Sequence, residues 1–153
     1  MRNFFFLIIF SLCICSCDPD KVYESNVKIP SAGWQRTDIA SFNVEIVEID
    51  VAYNIYVNVR NNNNYKYRDL WLFIDVDSPM GYVERDTVKI MLADHRGKWL
   101  GHGLGSKFNT RLILHENVRF PATGKYNFRY EQAMRDEPLI GIEDIGLRIE
   151  KAN

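Results

Sequence analysis

The chain has 153 residues, with 19 lysines and arginines against 20 aspartates and glutamates and a formal net charge of −1. This length suits a single domain, and the nearly balanced charge gives no electrostatic reason to expect nucleic acid or an anionic membrane surface as a partner. All three cysteines lie within the first 17 residues. The rest of the chain must therefore fold by packing alone, without disulfide bonds.

The amino terminus has the pattern of a bacterial lipoprotein signal. Arg2 precedes an apolar run at residues 4–14, which is shorter than the roughly twenty residues that span a bilayer and fits a secretory signal peptide. Ile14-Cys15-Ser16-Cys17 follows and resembles a lipobox, with a small residue for the peptidase cleft before a nucleophilic thiol. We therefore predict lipid attachment at Cys17. An ordinary signal peptide that leaves Cys17 as a free thiol is the alternative.

The predicted organisation has three parts. Residues 1–16 form a lipoprotein signal peptide, residues 17–21 hold the lipidated cysteine and a short flexible spacer, and residues 22–153 form one domain. No later stretch reaches eighteen apolar residues, so no transmembrane helix is predicted. Lipoprotein modification adds several acyl chains, and two chains already anchor a protein stably. We expect the protein to be held permanently on its membrane.

Alternating apolar and polar residues predict β-strands along the rest of the chain. The clearest stripe is Tyr53, Ile55, Val57 and Val59, which is typical of a half-buried antiparallel strand. Residues 39–49 alternate well if one bulge corrects the register, and residues 112–120 suggest two short strands around Glu116. The remaining predicted strands cover residues 22–29, 70–77, 83–92, 126–131 and 145–149.

About eight strands separated by turn residues predict an all-β fold, an antiparallel β-sandwich that is jelly-roll-like, with a small closed barrel as the runner-up. Leu70, Leu72 and other apolar residues line one face of the fourth strand, and aromatic residues on its other face suggest a central position in the sheet. Trp34, beside a turn, is predicted to belong to the core. Gly146, within the last strand, predicts a bulge or the close approach of another backbone.

The glycine-rich stretch at residues 97–105 fails as a phosphate-binding loop. Such a loop needs Ser or Thr after the Gly-Lys pair and a helix behind it, whereas Trp99 follows Lys98 and β pattern lies on both sides. We predict a surface loop instead. Because loops often carry function, this loop is the first candidate for contact with a partner.

No metal site is predicted. His95, His102 and His115 are the only histidines, and the spacing of the first two is not a recognised ligand pattern. Asp75 and Asp77 resemble the start of a calcium loop, but Ser78-Pro79 breaks that pattern, and we interpret the two aspartates as solvated charges at a strand end.

No catalytic residue or cofactor is predicted either. No serine lies in a Gly-x-Ser-x-Gly turn, and no pair of carboxylates is singled out as in a glycosidase. Trp71, Phe73, Tyr126 and Tyr130 would suit stacking on sugars, although packing explains them more simply. A surface carbohydrate-binding lipoprotein is therefore kept as the alternative function.

Several segments together resemble one known family. They are Gly33-Trp34, Tyr56-Val57-Asn58-Val59-Arg60-Asn61, Leu72-Phe73-Ile74-Asp75, Ser78-Pro79, Arg85-Asp86-Thr87, Leu92-Ala93-Asp94, Arg96-Gly97-Lys98-Trp99-Leu100-Gly101, Val118-Arg119-Phe120-Pro121, Glu131-Gln132-Ala133-Met134-Arg135 and Gly146-Leu147-Arg148-Ile149-Glu150. Over nearly the whole predicted domain, this pattern is similar to the gliding motility lipoprotein GldH family of Bacteroidetes.

The resemblance implies a non-enzymatic lipoprotein of the bacterial cell envelope that is needed for gliding motility. Its expected partners are other envelope lipoproteins and membrane proteins of the gliding and secretion apparatus, and its expected location is the outer membrane. Neither nucleic acid nor a small-molecule substrate is expected. Only the lipid-bearing residue, Cys17, carries over as a site.

Overall fold

A computed structural model describes residues 18–152. The predicted signal peptide and Cys17 lie outside these residues, so lipid attachment at Cys17 stays a prediction. The described part of the chain is all-β, and its eight strands are β1 (Lys21–Lys28), β2 (Ala40–Ile46), β3 (Tyr53–Asn62), β4 (Asp69–Asp77), β5 (Val83–Met91), β6 (Lys107–Val118), β7 (Gly124–Gln132) and β8 (Ile142–Lys151). Within residues 18–152, no helix is long and apolar enough to cross a membrane.

The strands form two antiparallel sheets of four, with the orders β1-β8-β3-β6 and β2-β7-β4-β5. This is the strand order of a jelly roll, in which the chain passes repeatedly from one sheet to the other. The predicted jelly-roll-like sandwich is confirmed, and the closed barrel is wrong. We call the sheet β1-β8-β3-β6 the terminal sheet, because it contains the first and last strands. We call the sheet β2-β7-β4-β5 the inner-chain sheet.

The topology gives the sandwich two distinct ends. β1 begins and β8 ends at the same end, since Lys21 pairs with Glu150, and the connections at residues 47–52, 78–82 and 119–123 lie there too. We call this the anchor end. The connections at residues 29–39, 63–68, 92–106 and 133–141 lie at the opposite, distal end.

The core lies between the two sheets and follows period-two alternation. In β3, the predicted stripe from Tyr53 to Val59 is buried. β2 alternates buried and exposed residues without interruption from Ala40 to Ile46, so the predicted bulge is wrong. The strand begins one residue after Ile39, which is exposed, and the register therefore needs no correction.

Trp34 is a core residue, as predicted. Its side chain is fully buried, and its Nε1 donates a hydrogen bond to the carbonyl oxygen of Asp38 at 2.7 Å. Its backbone forms an isolated bridge with Leu139. The bridge joins the β1–β2 and β7–β8 connections and helps to close the distal end of the sandwich.

Two predictions for the later strands have different outcomes. β6 is one strand of twelve residues, so the prediction of two short strands around Glu116 is wrong. The alternation fails there because the pairing with β3 is irregular near Ile55 and Asn117 has a positive φ of 56°. At Gly146 the predicted close approach is confirmed, since an added Cβ would lie 2.8 Å from the carbonyl oxygen of Ser25.

Candidate functional site

Where the chain enters the domain after the predicted lipid attachment point, the residues are arranged around Arg148, a nearly buried cation on β8. Its side chain is 7% exposed, and it contacts three carboxylates, those of Asp18, Glu24 and Glu150. The Arg148 Nη1 to Glu24 Oε2 distance is 2.7 Å. Burial alone lowers the pKa of Arg148, but its hydrogen bonds to Asp18, Glu150 and Glu24 outweigh that effect and raise it. A guanidinium in such surroundings stays charged and holds the carboxylates in place.

Asp18, the first described residue, is the partner that matters most for the tether. The hydrogen bond from Arg148 holds the pKa of the Asp18 carboxyl below its ordinary value. In the sequence, Asp18 directly follows Cys17. The residue next to the predicted lipid attachment point is thus ion-paired to the last strand of the domain.

The described part of the predicted spacer contacts the last strand of the domain. The backbone N–H of Lys151 donates to the carbonyl oxygen of Asp20 at 2.8 Å, and Lys21 N–H lies 3.4 Å from the carbonyl oxygen of Asp18. Lys21 already belongs to β1. The short run of Asp, Pro and Lys has the composition of a solvated leader, but the bond between Lys151 and Asp20 joins it to the last strand.

The outer face of the terminal sheet is a polar surface that continues from this cluster. Arg111 on β6 contacts Glu24 at 3.0 Å and donates from its Nε to Asn58 at 2.9 Å. Further toward the distal end, Arg60 on β3 contacts Asp144 at 2.9 Å. Charged side chains on this face are therefore paired across neighbouring strands, which favours a defined surface over freely moving charges.

A groove of about 990 Å³ opens on this polar face. Its floor includes Asn58, Arg60 and Arg111. Its rim includes Leu100 and His102 of the glycine-rich loop. The groove is open, and both polar and apolar residues line it, which suits contact with a protein surface better than enclosure of a small molecule.

The glycine-rich loop is a folded surface loop at the distal end. His102 pairs with Asn109 through two backbone hydrogen bonds of 2.8–2.9 Å, and the Trp99 ring packs on Phe108 at a centroid distance of 5.6 Å. Leu104, at its tip, is 94% exposed. Partner contact through this loop stays a prediction.

The histidines predicted not to form a metal site are dispersed. His95 lies in the turn before the glycine-rich loop, His102 is in the loop, and His115 is on β6. Among residues 18–152, no group of three His, Cys, Asp or Glu side chains is arranged to hold a metal ion.

Asp75 and Asp77 lie on the outer face of the inner-chain sheet, and the interpretation of them as solvated strand-end charges is wrong for Asp75, whereas Asp77 ends β4 and its side chain is 38% exposed. Arg85 donates to Asp75 at 3.2 Å, and Arg129 donates to Asp77 at 2.9 Å. The side chain of Asp75 is mostly buried. Cross-strand arginines, which are distant in sequence, thus neutralise both carboxylates.

The four aromatic residues considered for sugar stacking do not form one platform. Tyr126 and Tyr130 are buried in the core, so the stacking interpretation is wrong for them. Trp71 and Phe73 lie on the outer face of β4, which is central in its sheet as predicted, and each has a cation over its ring, although Trp71 stays 41% exposed. The Arg85 guanidinium carbon lies 4.6 Å from the Phe73 ring centroid, and Lys89 Nζ lies 6.0 Å from that of Trp71.

Comparison with known proteins identifies the family. The family model described as GldH lipoprotein matches residues 21–149, which is nearly all of the domain. The chain belongs to the GldH lipoprotein family. The GldH chain is therefore a lipid-anchored protein of the cell envelope, as its lipobox predicts.

Two curated relatives match along their whole length. The gliding motility lipoprotein GldH homolog of Christiangramia forsetii is 34% identical, over 100% of this chain and 99% of the relative. The gliding motility lipoprotein GldH of Flavobacterium johnsoniae is 30% identical, over 99% of this chain and 98% of the relative. Among solved structures, an arabinose-bound α-L-arabinofuranosidase matches with a TM-score of 0.39 and 13% identity, over 82% of this chain and 19% of that one, which is too distant to inform the function.

Sequence reasoning missed the Arg148 cluster of this GldH chain. Its members come from the first and last strands, and Asp18 and Arg148 are 130 positions apart. One signal was present, because pairing the first strand of a jelly roll with its last places Glu24 opposite Arg148. That inference needs the strand order, which alternation along single strands does not reveal.

Proposed function

We propose that this protein is a non-enzymatic interaction component of the bacterial gliding motility machinery, held on the outer membrane by lipid at Cys17. The observation that carries the proposal is the full-length similarity to two curated gliding motility lipoproteins. The fixed tether supports it as well, because a domain ion-paired beside its own attachment point has a restricted orientation on the membrane. A restricted orientation suits a protein that must meet partners in the same envelope.

The proposal of a non-enzymatic role is supported by the state of the acids around the groove. Glu24 is shared between Arg148 and Arg111, and Asp144 is paired with Arg60. Acids that act in catalysis commonly have pKa values raised by burial or by a like charge. Among the carboxyls of the described chain, the clear shifts are downward, at Asp18 and Glu143.

The partners that we propose are other lipoproteins and membrane proteins of the gliding and secretion apparatus. The groove on the terminal sheet and the glycine-rich loop are the surfaces offered to them. Both reach the distal end, away from the tether. A partner at that end would not compete with the membrane for the same surface.

The proposal is tested by deleting the gene and measuring colony spreading, then restoring either the wild-type gene or Cys17→Ala. We expect deletion to abolish spreading, the wild type to restore it, and Cys17→Ala to fail because its product leaves the membrane fraction. Normal spreading of the deletion strain would remove the gliding role.

The partners are tested by affinity capture from crosslinked envelopes. The tag belongs between Ser31 and Ala32, in an exposed turn at the distal end outside the glycine-rich loop, because the last strand ends beside Asp20 at the anchor end. We expect envelope proteins of the gliding apparatus to be captured with the wild type and lost with Cys17→Ala. Enrichment of polysaccharide in place of protein would favour the carbohydrate-binding alternative.

A test of the non-enzymatic role uses Asp144→Asn, which removes an acid that lines the groove, and Glu143→Gln, which removes the acid before it in sequence. Both changes nearly keep the shape of the side chain. We expect each variant strain to spread as far as a wild-type strain that contains the same amount of folded protein. Loss of spreading by one variant at normal abundance, with partner capture intact, would instead point to chemistry at that carboxylate.

A further inference from the structure

The anchor end exposes five apolar side chains on two neighbouring loops and on the first residue of β5. Val47, Met80 and Val83 are exposed by 68%, 61% and 57%, and Ile49 and Tyr82 are also exposed. We call these five residues the apolar rim. Exposed single apolar residues are common, but a group on adjacent loops at one end of a domain marks a contact surface.

The first loop of the rim is fastened to the tether. Glu48, between Val47 and Ile49, contacts Lys151 Nζ at 2.7 Å. The backbone of the same lysine donates to Asp20 at 2.8 Å. Val47 and Ile49 therefore lie on a loop that one lysine joins to the first residues of the domain.

The second loop lies beside the first. Ile46, which directly precedes Val47, pairs with Gly124. A Cβ at Gly124 would lie 3.1 Å from Cβ of Pro79, the residue before Met80. Strand pairing and this close approach bring both loops to one side of the anchor end, although they belong to different connections.

We propose that the apolar rim lies in the interfacial layer of the membrane that carries the anchor. This inference rests on the lipid attachment in the proposed function. Asp18 is fixed by Arg148 and is one peptide bond from Cys17, so acyl chains on Cys17 enter the bilayer at this end of the domain. The occupant is therefore a lipid surface, and amphipathic surfaces with exposed Val, Ile, Met and Tyr bind at the headgroup–acyl boundary.

The charges around the rim indicate that apolar contact dominates over attraction to anionic lipids. Lys151 is neutralised by Glu48, and the Arg119 guanidinium donates to the backbone carbonyl of Asp50 at 3.0 Å. The side chains of Asp20 and Asp50 add negative charge. Docking should therefore persist at high ionic strength, since salt screens exposed charges but not apolar burial.

The test uses the full-length protein purified with its lipid and reconstituted into vesicles of phosphatidylethanolamine and phosphatidylglycerol. Separate variants, Val47→Cys, Met80→Cys and Leu104→Cys, carry an environment-sensitive fluorophore. Leu104 is the matched control, because it is an apolar loop residue at the distal end, and strands of about ten residues place that end about 30 Å from the anchor end.

We expect the label at positions 47 and 80 to show blue-shifted emission and several-fold stronger quenching by spin-labelled lipids than the label at position 104, in low and high salt alike. If the protein floats with the vesicles but all three labels are equally exposed to water, the docking inference is wrong while the anchor stands. If the protein carries no acyl chain and does not float, the anchor fails and the docking inference falls with it. Circular dichroism of each variant confirms that the labelled protein is folded.

Discussion

Arg148 on the last strand and Asp18 at the start of the domain form an ion pair across 130 positions of sequence. The guanidinium is nearly buried, while the carboxylate keeps 43% of its surface in solvent. The pair therefore combines a fixed cation in the sheet with a partner that solvent can reach. Through it, the folding of the last strand determines where the membrane tether begins.

We expect Arg148→Met to lower the free energy of unfolding by about 3 kcal/mol, because it leaves three clustered carboxylates without their cation. Urea unfolding of the detergent-solubilised protein measures this loss. The loss should shrink as the pH falls below 3.8, because Asp18 then takes up a proton and its pair with Arg148 is lost in the wild type as well. Lys151→Met is the control, since its pair with Glu48 is exposed on both sides and should contribute little to stability. Equal losses of unfolding free energy in both variants would mean that Arg148 stabilises the fold no more than an exposed ion pair does.

The tether should be released by acid. The pKa of the folded Asp18 carboxyl is depressed below its ordinary value of 3.8 by Arg148, so the ion pair is fully present above that value. As the pH falls from 3.8 through the depressed pKa, Asp18 takes up a proton and the pair is lost. An NMR titration of the Asp18 carboxyl carbon should have its midpoint below 3.8 in the wild type and near the ordinary value in Arg148→Met. A wild-type midpoint at 3.8 or above would exclude the ion pair.

Gly146→Ala should destabilise the protein by about 1–3 kcal/mol, because the new Cβ meets the side chain of Asn26 and the backbone of Ser25 on the neighbouring strand. Chemical unfolding measures the loss. The double variant with Asn26→Ala should recover part of it, since that change removes the side-chain clash but leaves the carbonyl of Ser25 at 2.8 Å. An unchanged midpoint in the single variant would mean that the two strands lie further apart.

Two core tyrosines should respond in opposite directions to loss of the hydroxyl. Tyr130 Oη is buried and has no hydrogen-bond partner among residues 18–152, and burial raises the pKa of this phenol. Tyr130→Phe should therefore keep or raise the stability, by up to about 1 kcal/mol. Tyr126 Oη donates to the carbonyl oxygen of Ala122 at 2.9 Å, so Tyr126→Phe should cost about 1 kcal/mol. Thermal unfolding of both variants compares them, and a loss at Tyr130 as large as that at Tyr126 would indicate a partner for its hydroxyl.

Much of the fold was predictable because one face of nearly every strand is buried. Alternation in β3 and β7 places Val57 and Phe128 in the core, and the periodic pattern alone identifies such positions. The predictions failed where another strand or a charge decides the local structure. β6 stays continuous past Glu116 because pairing with β3 holds it, and no property of the β6 sequence records that partner.

The candidate sites were less predictable than the fold for the same reason. The lipobox is local in sequence, so Cys17 could be proposed from four residues. The Arg148 cluster and the pairs of Arg85 and Arg129 with Asp75 and Asp77 are assembled from separate strands. Ion pairs between strands depend on the register in which the strands pair. The residue pattern along one strand does not determine that register.

The antiparallel pairing of β1 with β8 has a mechanical consequence. β1 is an edge strand that pairs only with β8, over a register from Lys21–Glu150 to Lys28–Asp144. If the membrane pulls on the start of β1 while a partner holds the distal end, the force runs along the strand, perpendicular to its hydrogen bonds. The bonds then share the load in shear and do not open one after another. A pull applied across the edge of the sheet would instead peel β1 away bond by bond, so the direction of loading should decide how much tension the domain withstands.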